Sequence, residues 1–132
     1  MNVTTPQVSD CGTDCKAVSE VLARIGEKWS VIIVIKLAIR AHRFSELKRI
    51  INGISQRMLT LCLRGLERDG IVKRTVYPVI PPHVEYELTP LGRSLTEPVN
   101  ALGMWALQHK NDIRIARTEY DLLQESEKNI IL

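Results

Sequence analysis

The stretch Ser55–Gly70, "SQRMLTLCLRGLERDG", decides the fold, because its spacing predicts an amphipathic helix with two unlike faces. At about 100° per residue, three leucines share one face: Leu59, Leu63 and Leu66. The opposite face carries arginines with one leucine among them, and a threonine lies at its edge: Arg57, Thr60, Leu61, Arg64 and Arg68. Such a helix is expected to anchor itself in a core and to present cations outward.

The start of this helix is marked by several local signals. Ser55 is a favourable N-cap, and Ile54 with Leu59 fits the hydrophobic-staple arrangement. Asn52–Gly53 is a turn signal, and a short helix is expected before it with Ser45 as its N-cap. The pattern therefore predicts two helices joined by a tight turn.

Two further helices are expected upstream. The first runs from a cap at Asp14 to about Ile25 and ends at Gly26. The second, "KWSVIIVIKLAI" (residues 28–39), is apolar almost all round, which is typical of a buried central helix. Its β-branched residues would also suit a strand, but its length favours a helix.

The hydrophobic period changes to two after Gly70. "VKRTVY" (72–77) and "VEYEL" (84–88) alternate as strands, and the proline-rich "PVIPPH" (78–83) between them suits neither a helix nor a regular strand. Thr89–Pro90 then supplies an N-cap and a first-turn proline for another helix. Helices joined by a tight turn and followed by such a hairpin make a winged helix-turn-helix.

The C-terminal region is predicted to be helical but interrupted at Pro98, and its acidic end, Glu119–Glu127, is expected to fray. An apolar stripe runs along it: Val99, Leu102, Trp105, Ala106 and Ile113. A lone terminal helix would not leave such a stripe in water, so a second copy of the chain is expected to cover it.

Composition fits one globular domain. The chain has 132 residues, of which 45% are hydrophobic and 25% charged. Its longest apolar run, Val31–Ile35, cannot span a membrane, and the first residues lack a secretory pattern, so a cytoplasmic protein with no membrane partner is expected. The three cysteines and three histidines show no disulfide-framework or metal-site spacing, and no cofactor is expected.

Charge is distributed unevenly along the chain. The net charge is +3, yet the segment Arg40–Arg74 holds nine basic and three acidic residues, a charge of +6 that leaves −3 for the remainder. A basic face of this kind suggests a polyanionic partner. The alternative is a solvated surface on which arginines pair with nearby acids such as Glu67.

The arginine face has the chemistry that DNA requires. The major groove admits one α-helix, arginine can donate two hydrogen bonds to guanine, and glutamine can bond adenine. Gln56 and Arg57 lie at the helix N-terminus, the end that enters the groove in helix-turn-helix docking. Leu61 could contact a thymine methyl group or pack against a neighbouring element.

Together these elements resemble the HxlR family of bacterial winged-helix transcription regulators. The motifs that carry the resemblance are "IGEKWSVIIVIKL" (25–37), "RFSELKRIINGISQRMLTLCLRGLERDGIVKR" (43–74), "YPVIPPHVEYELTPLGRSL" (77–95) and "MW" (104–105). The resemblance extends from Cys15 to about His109. It implies a homodimer that binds double-stranded DNA at a pseudo-palindromic operator, with the first helix and the helices after Thr89 forming the dimer interface.

The resemblance also implies roles for individual residues. Trp29 and Phe44 match core positions, and Pro78–His83 matches the wing tip, which here lacks Lys and Arg. With the arginine face included, the candidate DNA-binding residues are Ser55, Gln56, Arg57, Thr60, Leu61, Arg64, Arg68, Arg74 and His83. The candidate dimer-interface residues are Val18, Leu22, Val99, Leu102, Trp105 and Ala106.

The cysteines suggest a further hypothesis. Some members of the family respond to oxidants or electrophiles through a cysteine just before the first helix, and Cys15 occupies that region, with Cys11 as a candidate resolving thiol. The alternative is that both are ordinary cysteines in a flexible arm. Cys62 lies on the core face of the predicted helix and is expected to be a small buried hydrophobe.

The sequence thus predicts an α+β, mainly helical fold: a winged helix-turn-helix with additional N- and C-terminal dimerisation helices. A single domain, 1–132, would comprise a flexible arm (1–13), the helix-turn-helix core and wing (14–89), and dimerisation helices with an acidic tail (90–132).

The expected function is that of a dimeric, sequence-specific DNA-binding transcriptional regulator, a repressor without enzymatic activity. A thiol-redox response is the further hypothesis, and the inducer is unknown. Two alternatives stay open. One is a winged-helix module for protein interaction and dimerisation without DNA binding. The other is a small thiol enzyme, which would need a general base near Cys11 or Cys15.

Overall fold

The elements follow the predicted helix-turn-helix and wing order in the structure, a computed structural model that describes residues 14–131. The helices are α1 (Cys15–Ile25), α2 (Lys28–Ile39), α3 (Phe44–Ile50), α4 (Gln56–Arg68), α5 (Pro90–Ser94) and α6 (Thr96–Ile131). The strands are β1 (His42–Arg43), β2 (Val72–Tyr77) and β3 (His83–Leu88). Two compact units divide the chain after Thr96: α1–α5 and the sheet lie in the first, and α6 from Glu97 onward lies in the second.

The core of the first unit forms where α2 contacts α4 and β3. From α2, Ile33, Val34 and Leu37 are buried, which confirms the predicted central helix. The remaining core side chains come from α3, α4, the turn between them and the wing: Leu47, Ile51, Ile54, Leu59, Cys62, Leu63, Leu66, Ile71, Val72, Tyr86 and Leu88. Trp29 and Phe44, which were expected in the core, are half-buried.

The junction between α3 and α4 is the tight turn that the sequence predicts. Gly53 has a φ of 87°, a left-handed conformation that glycine adopts without steric cost. Ser55 is the N-cap of α4, and its Oγ accepts a hydrogen bond from the backbone N–H of Met58 at 3.0 Å. Ile54 and Leu59 are both buried, as a hydrophobic staple requires.

The predicted cap of α3 is wrong, because the helix begins before Ser45. Its N-cap is Arg43, whose backbone N–H donates to Oε1 of Glu46 at 3.2 Å. Glu46 also accepts a hydrogen bond from Nη2 of Arg40 at 2.7 Å. The Arg40 guanidinium, followed by the Arg43 N–H, lowers the pKa of Glu46 from 4.5 to about 2. The glutamate carboxylate thus takes the capping role that Ser45 was expected to play.

The wing is part of a three-stranded antiparallel sheet in the order β1-β3-β2. Strand β1 was not predicted, because two residues are too few to show an alternating pattern. The hairpin is confirmed, with one correction at its tip. His83 pairs with Tyr77 in the ladder, so β3 begins one residue earlier than predicted and the tip comprises residues 78–82.

The C-terminal helices begin as predicted but continue differently. Thr89 caps α5, and its Oγ1 accepts from the Gly92 N–H at 3.0 Å. The helix breaks at Leu95, not at Pro98, because Pro98 lies in the first turn of α6, where its missing N–H is tolerated.

The predicted fraying of Glu119–Glu127 is also wrong, since α6 remains helical to Ile131. Glutamate, glutamine and leucine, which recur in this stretch, are strong helix formers. Even this long helix is not apolar enough to cross a membrane, and neither is any other helix within residues 14–131.

The two serines first expected to cap helices provide a matched test of the cap. Ser55→Ala should lower the free energy of unfolding by about 1 kcal/mol, because it leaves the Met58 N–H without its partner. Ser45→Ala, within α3, should change it by less than about 0.5 kcal/mol. Urea unfolding of the two variants beside the wild type measures both values, and equal losses would contradict the assigned cap.

Candidate nucleic-acid interface

α4 has one buried and one exposed face, as the sequence predicts. Leu59, Cys62, Leu63 and Leu66 are buried. The exposed side chains run along the other side and over the first turn: Gln56, Arg57, Leu61, Arg64 and Arg68, with Thr60 partly buried at the edge. Leu61 is 50% exposed, so about half of its surface is open to a partner. The arginines point outward, where they can meet a partner.

The arginines of this exposed face form no ion pairs with acids in the described part of the chain. Within residues 14–131, no carboxylate forms an ion pair with Arg57, Arg64, Arg68 or Arg74, and Glu67 forms none. The alternative in which these arginines pair with neighbouring acids is therefore not observed in this part of the chain. Arg40, of the same basic segment, does pair with a carboxylate, that of Glu46.

One arginine from α4 and one from the wing meet at the same cavity. Thr60, Arg64 and Arg74 line a space of about 430 Å³, together with Phe44, Glu67 and Tyr86. The strand register explains why Arg74 reaches it. Arg74 lies opposite the buried Tyr86, and paired residues of a ladder share a face, which here is the face turned toward the helices.

Arg68 lies elsewhere. It lines a separate cavity of about 690 Å³ together with residues of α1 and α5. Along α4, Arg68 is about 16 Å from Arg57, at the helix end opposite the one expected to enter DNA. The structure therefore brings Arg64 and Arg74 together and leaves Arg68 apart.

A clasp that the sequence analysis missed joins α1 to the end of α4. Nε of Arg24 lies 3.1 Å from Oδ2 of Asp69, the residue that ends α4. The Arg24 guanidinium passes over Gly65, where any side chain would overlap it. Gly65, a glycine in the middle of a helical pattern, was the available signal for close packing. Its partner, 45 residues from Asp69, could not be read from local spacing.

The wing tip is apolar and exposed. Val79 is half-exposed, and Ile80 is fully exposed. His83, the polar candidate at the wing, stacks on Tyr77 with ring centroids 4.9 Å apart, and its Nε2 lies 3.7 Å from Oε2 of Glu85. The charge of Glu85, followed by burial, raises the pKa of Tyr77. His83 is therefore held inside the wing by its own neighbours.

The cysteines occupy two environments. Cys15 is the exposed first residue of α1 and is disulfide-bonded, while Cys11 lies outside the described residues. Cys62 is a free, buried cysteine in α4, and burial, followed by the charge of Glu27, raises its pKa. Among residues 14–131, no group of three His, Cys, Asp or Glu side chains is placed to hold a metal ion.

The candidate dimer residues lie on α1 and α6. On α1, Val18 is half-buried and Leu22 exposed. On α6, Leu102, Trp105 and Ala106 are exposed, but Val99 is only 4% exposed in the single chain.

A helix-turn-helix followed by a wing, with an uncompensated cationic face on its second helix, defines a winged helix-turn-helix protein. Residues 24–114 match the family described as HxlR-like helix-turn-helix, and the chain belongs to that family. The resemblance noted from the sequence motifs is thereby confirmed.

Several known proteins are similar to the chain. The HTH-type transcriptional regulator YtfH of Escherichia coli K12 is 45% identical over 100 residues, which cover 76% of this chain and 79% of that protein. The solved structure of ytfH from Salmonella typhimurium is 42% identical with a TM-score of 0.71, and the match covers 76% of this chain and 89% of that one. The redox regulator HypR in its reduced form is 43% identical with a TM-score of 0.69, covering 74% and 97%.

The environment of Cys62 makes a prediction about thiol reactivity. In a Cys11→Ser/Cys15→Ser background, the native protein should react with a thiol reagent such as 5,5′-dithiobis(2-nitrobenzoate) far more slowly than the urea-unfolded chain. The reason is that the thiol is buried and its pKa is raised, so little thiolate is accessible. Absorbance of the released thiolate measures both rates, and equal rates would contradict the buried placement.

Proposed function

We propose that the protein is a dimeric, sequence-specific DNA-binding transcriptional regulator of the bacterial cytoplasm that acts as a repressor and has no catalytic activity. The observation that carries this proposal is that Arg64 of α4 and Arg74 of the wing, two cations without ion-pair partners in the described chain, line one cavity on the exposed side of α4. Membership of a helix-turn-helix family supports the regulatory role.

In this proposal the N-terminal half of α4 enters the major groove. Gln56 and Arg57 occupy the first two helical positions and are exposed, so they are placed to bond base edges. Leu61 lies one turn further along the same face and suits contact with a thymine methyl group. Ser55 uses its oxygen lone pair for the cap, which leaves its hydroxyl hydrogen for a phosphate oxygen.

Arg64 and Arg74 are assigned to one stretch of DNA backbone. They approach the cavity from a helix and a strand, and a phosphate between them would be bonded from both sides. The Thr60 hydroxyl donates to the Gln56 carbonyl oxygen at 2.9 Å, so it is not offered to the DNA as a donor. Arg68 and His83 receive no DNA contact, because Arg68 lines another cavity and His83 is held within the wing.

A two-fold dimer would present two copies of α4 to one duplex. Helix-turn-helix dimers bind half-sites about 34 Å apart, so the operator is expected to be pseudo-palindromic. Repression would follow if that operator overlaps a promoter. The inducer is not specified by this proposal.

Three substitutions should separate base contacts from phosphate contacts. Arg57→Ala should cost about 1–3 kcal/mol of binding free energy on the selected operator and relax the preference at one base pair. Arg64→Ala and Arg74→Ala should weaken binding evenly across sequences, each reducing the slope of log affinity against log salt by about 1. The operator is first selected from a random duplex pool, and affinities are then measured by fluorescence anisotropy over a salt series.

Arg114→Ala provides the matched control, since Arg114 is an exposed arginine of α6 outside this face. All four variants should keep the wild-type circular dichroism spectrum. Unchanged affinity in Arg57→Ala, Arg64→Ala and Arg74→Ala together would reject the assigned face.

A thiol-redox response is included in the proposal. HypR, a redox regulator with solved reduced and oxidised forms, is 46% identical to this chain in the oxidised form, with a TM-score of 0.66. Cys15 begins α1, the helix whose other end is clasped to Asp69 at the end of α4. A change in the bonding of Cys15, with Cys11 or a partner thiol, would therefore act on a helix tied to the recognition helix.

Operator binding titrated against a mild oxidant such as diamide tests this response. Wild-type affinity should change on oxidation, and Cys15→Ser should bind like the reduced wild type at every oxidant concentration. Cys62→Ala should respond as the wild type does, because Cys62 is buried in the core. Identical curves for wild type and Cys15→Ser would remove the redox response while leaving DNA binding intact.

Two other functions are distinguishable from this one. A winged-helix interaction module would dimerise but show no salt-dependent DNA binding. A thiol enzyme would turn over a peroxide or thiol substrate, and its rate would depend on Cys11 or Cys15.

A further inference from the structure

α6 carries a heptad seam that continues well beyond the family match. Apolar or small residues recur at alternating spacings of three and four, with one histidine among them: Leu102, Ala106, His109, Ile113, Ala116, Tyr120 and Leu123. This is the a/d pattern of a two-stranded coiled coil, sustained over about three heptads. We call these residues the α6 seam. The family match ends at residue 114, so its last three members lie outside it.

The residues next to the α6 seam explain why it ends where it does. Val99 continues the pattern toward the N-terminus, but it is already buried in the single chain. Glu127 continues it toward the C-terminus, where two copies would bring like charges together. The seam therefore runs from Leu102 to Leu123, a helix length of about 32 Å.

Three large side chains of the seam are exposed, while His109 and Ile113 are half-buried. Leu102 is 58% exposed, Tyr120 61% and Leu123 64%. α6 forms a compact unit of its own, and a single helix cannot bury a stripe of this kind by itself. Some second element is needed to remove these side chains from water.

The charges beside the seam identify that element and its direction. One flank, the e positions, is basic, with Lys110 and Arg117. The other flank, the g positions, is acidic, with Asp112 and Glu119. In a parallel pair of identical helices, g of one copy meets e of the other, so Asp112 would face Arg117. In an antiparallel pair, e meets e and g meets g, which places like charges together.

These flanking charges are not used within the chain. Among residues 14–131, no ion pair involves Lys110, Asp112, Arg117 or Glu119. Asp112 and Arg117 are five positions apart, a spacing that does not bring side chains together on one helix. Trp105 also lies at a g position, where a parallel copy would present Lys110 to its ring, a favourable cation–π arrangement.

We propose that the α6 seam binds the α6 seam of a second copy of this chain as a parallel, in-register, two-stranded coiled coil. The inference rests on the dimer of the proposed function and extends it to residues 115–123. His109 is the one polar residue of the seam, and it is engaged within its own helix: its Nδ1 lies 2.9 Å from the Trp105 carbonyl oxygen and its ring stacks on that of Trp105 at 4.7 Å. Both chains enter a parallel coil at the same end.

Two neighbouring leucines provide the test of the seam. Leu123 lies in it, whereas Leu122 lies outside it, although the two have similar exposures of 64% and 59%. Leu123→Glu should raise the dimer dissociation constant at least about tenfold, because it places a charge in the apolar contact, and Leu122→Glu should leave it unchanged. Sedimentation equilibrium of the full chain, whose monomer mass is 15.0 kDa, measures these constants. Equal effects would overturn the seam.

Two further experiments test the direction. In a Cys11→Ser/Cys15→Ser background, Leu123→Cys should form a disulfide-linked dimer on oxidation, and Leu122→Cys should not, because only a parallel in-register pair places residue 123 against itself. Asp112→Arg and Arg117→Asp should each weaken the dimer, and the double exchange should restore it. Absence of the Leu123 cross-link, or a double variant weaker than both singles, would reject the parallel coil.

These results are independent of the proposed function. They are read without DNA, so a chain that fails to bind operators can still form the coil. Conversely, the wild type could bind a palindromic operator as a dimer while Leu123→Glu leaves the dimer dissociation constant unchanged. That result would reject the coiled coil but not the proposed regulatory function.

Discussion

The burial of Leu59, Leu63 and Leu66 fixes the rotation of α4 about its axis, and that rotation decides which side chains the protein can offer to a partner. Each buried leucine contributes about 1.5–3 kcal/mol relative to an exposed one. Turning the helix by one residue, about 100°, would expose these leucines and replace them in the core with one of two poorer sets. Thr60, Arg64 and Glu67 would bury charged groups, and Met58, Cys62 and Gly65 would bury less apolar volume. The Ser55 cap and the Gly53 turn fix where the helix starts. Core packing thereby positions a polar surface that it does not itself contain.

The arginines of the basic segment Arg40–Arg74 have two different environments. Arg40 is engaged with Glu46 and helps to fix the start of α3, whereas Arg57, Arg64 and Arg74 have no such partner among residues 14–131. Leaving these cations in water costs little, since an exposed ion pair is worth about 0–1 kcal/mol. A polyanion can bind them without first displacing a carboxylate. The spread of charge along the sequence was therefore informative, but only the structure distinguishes the cations used for folding from those left open.

The features that the sequence could predict are those written locally. The α4 cap, its two faces, the glycine turn and the alternating wing strands are set by neighbours within a few residues, and they are confirmed. The prediction that Ser45 caps α3 was wrong, because the helix begins at Phe44 and the Glu46 side chain accepts a hydrogen bond from the backbone N–H of its N-cap, Arg43. Strand β1 was not predicted, because its two residues form a strand only through their pairing with β3. The convergence of Arg64 with Arg74 and the clasp of Arg24 to Asp69 depend on tertiary packing, for which spacing carries no signal.

The ion pair between Arg24 and Asp69 couples the position of α1 to that of the C-terminal end of α4. A glycine within a helix costs about 1 kcal/mol relative to alanine, and at Gly65 that cost opens the passage through which the guanidinium reaches Asp69. An axial shift of α1 must then either carry the last turn of α4 with it or break an ion pair worth at most about 1 kcal/mol. Because the ion pair is weak, small displacements of α1 can be transmitted to α4, whereas large displacements of α1 would break the ion pair before they could displace α4.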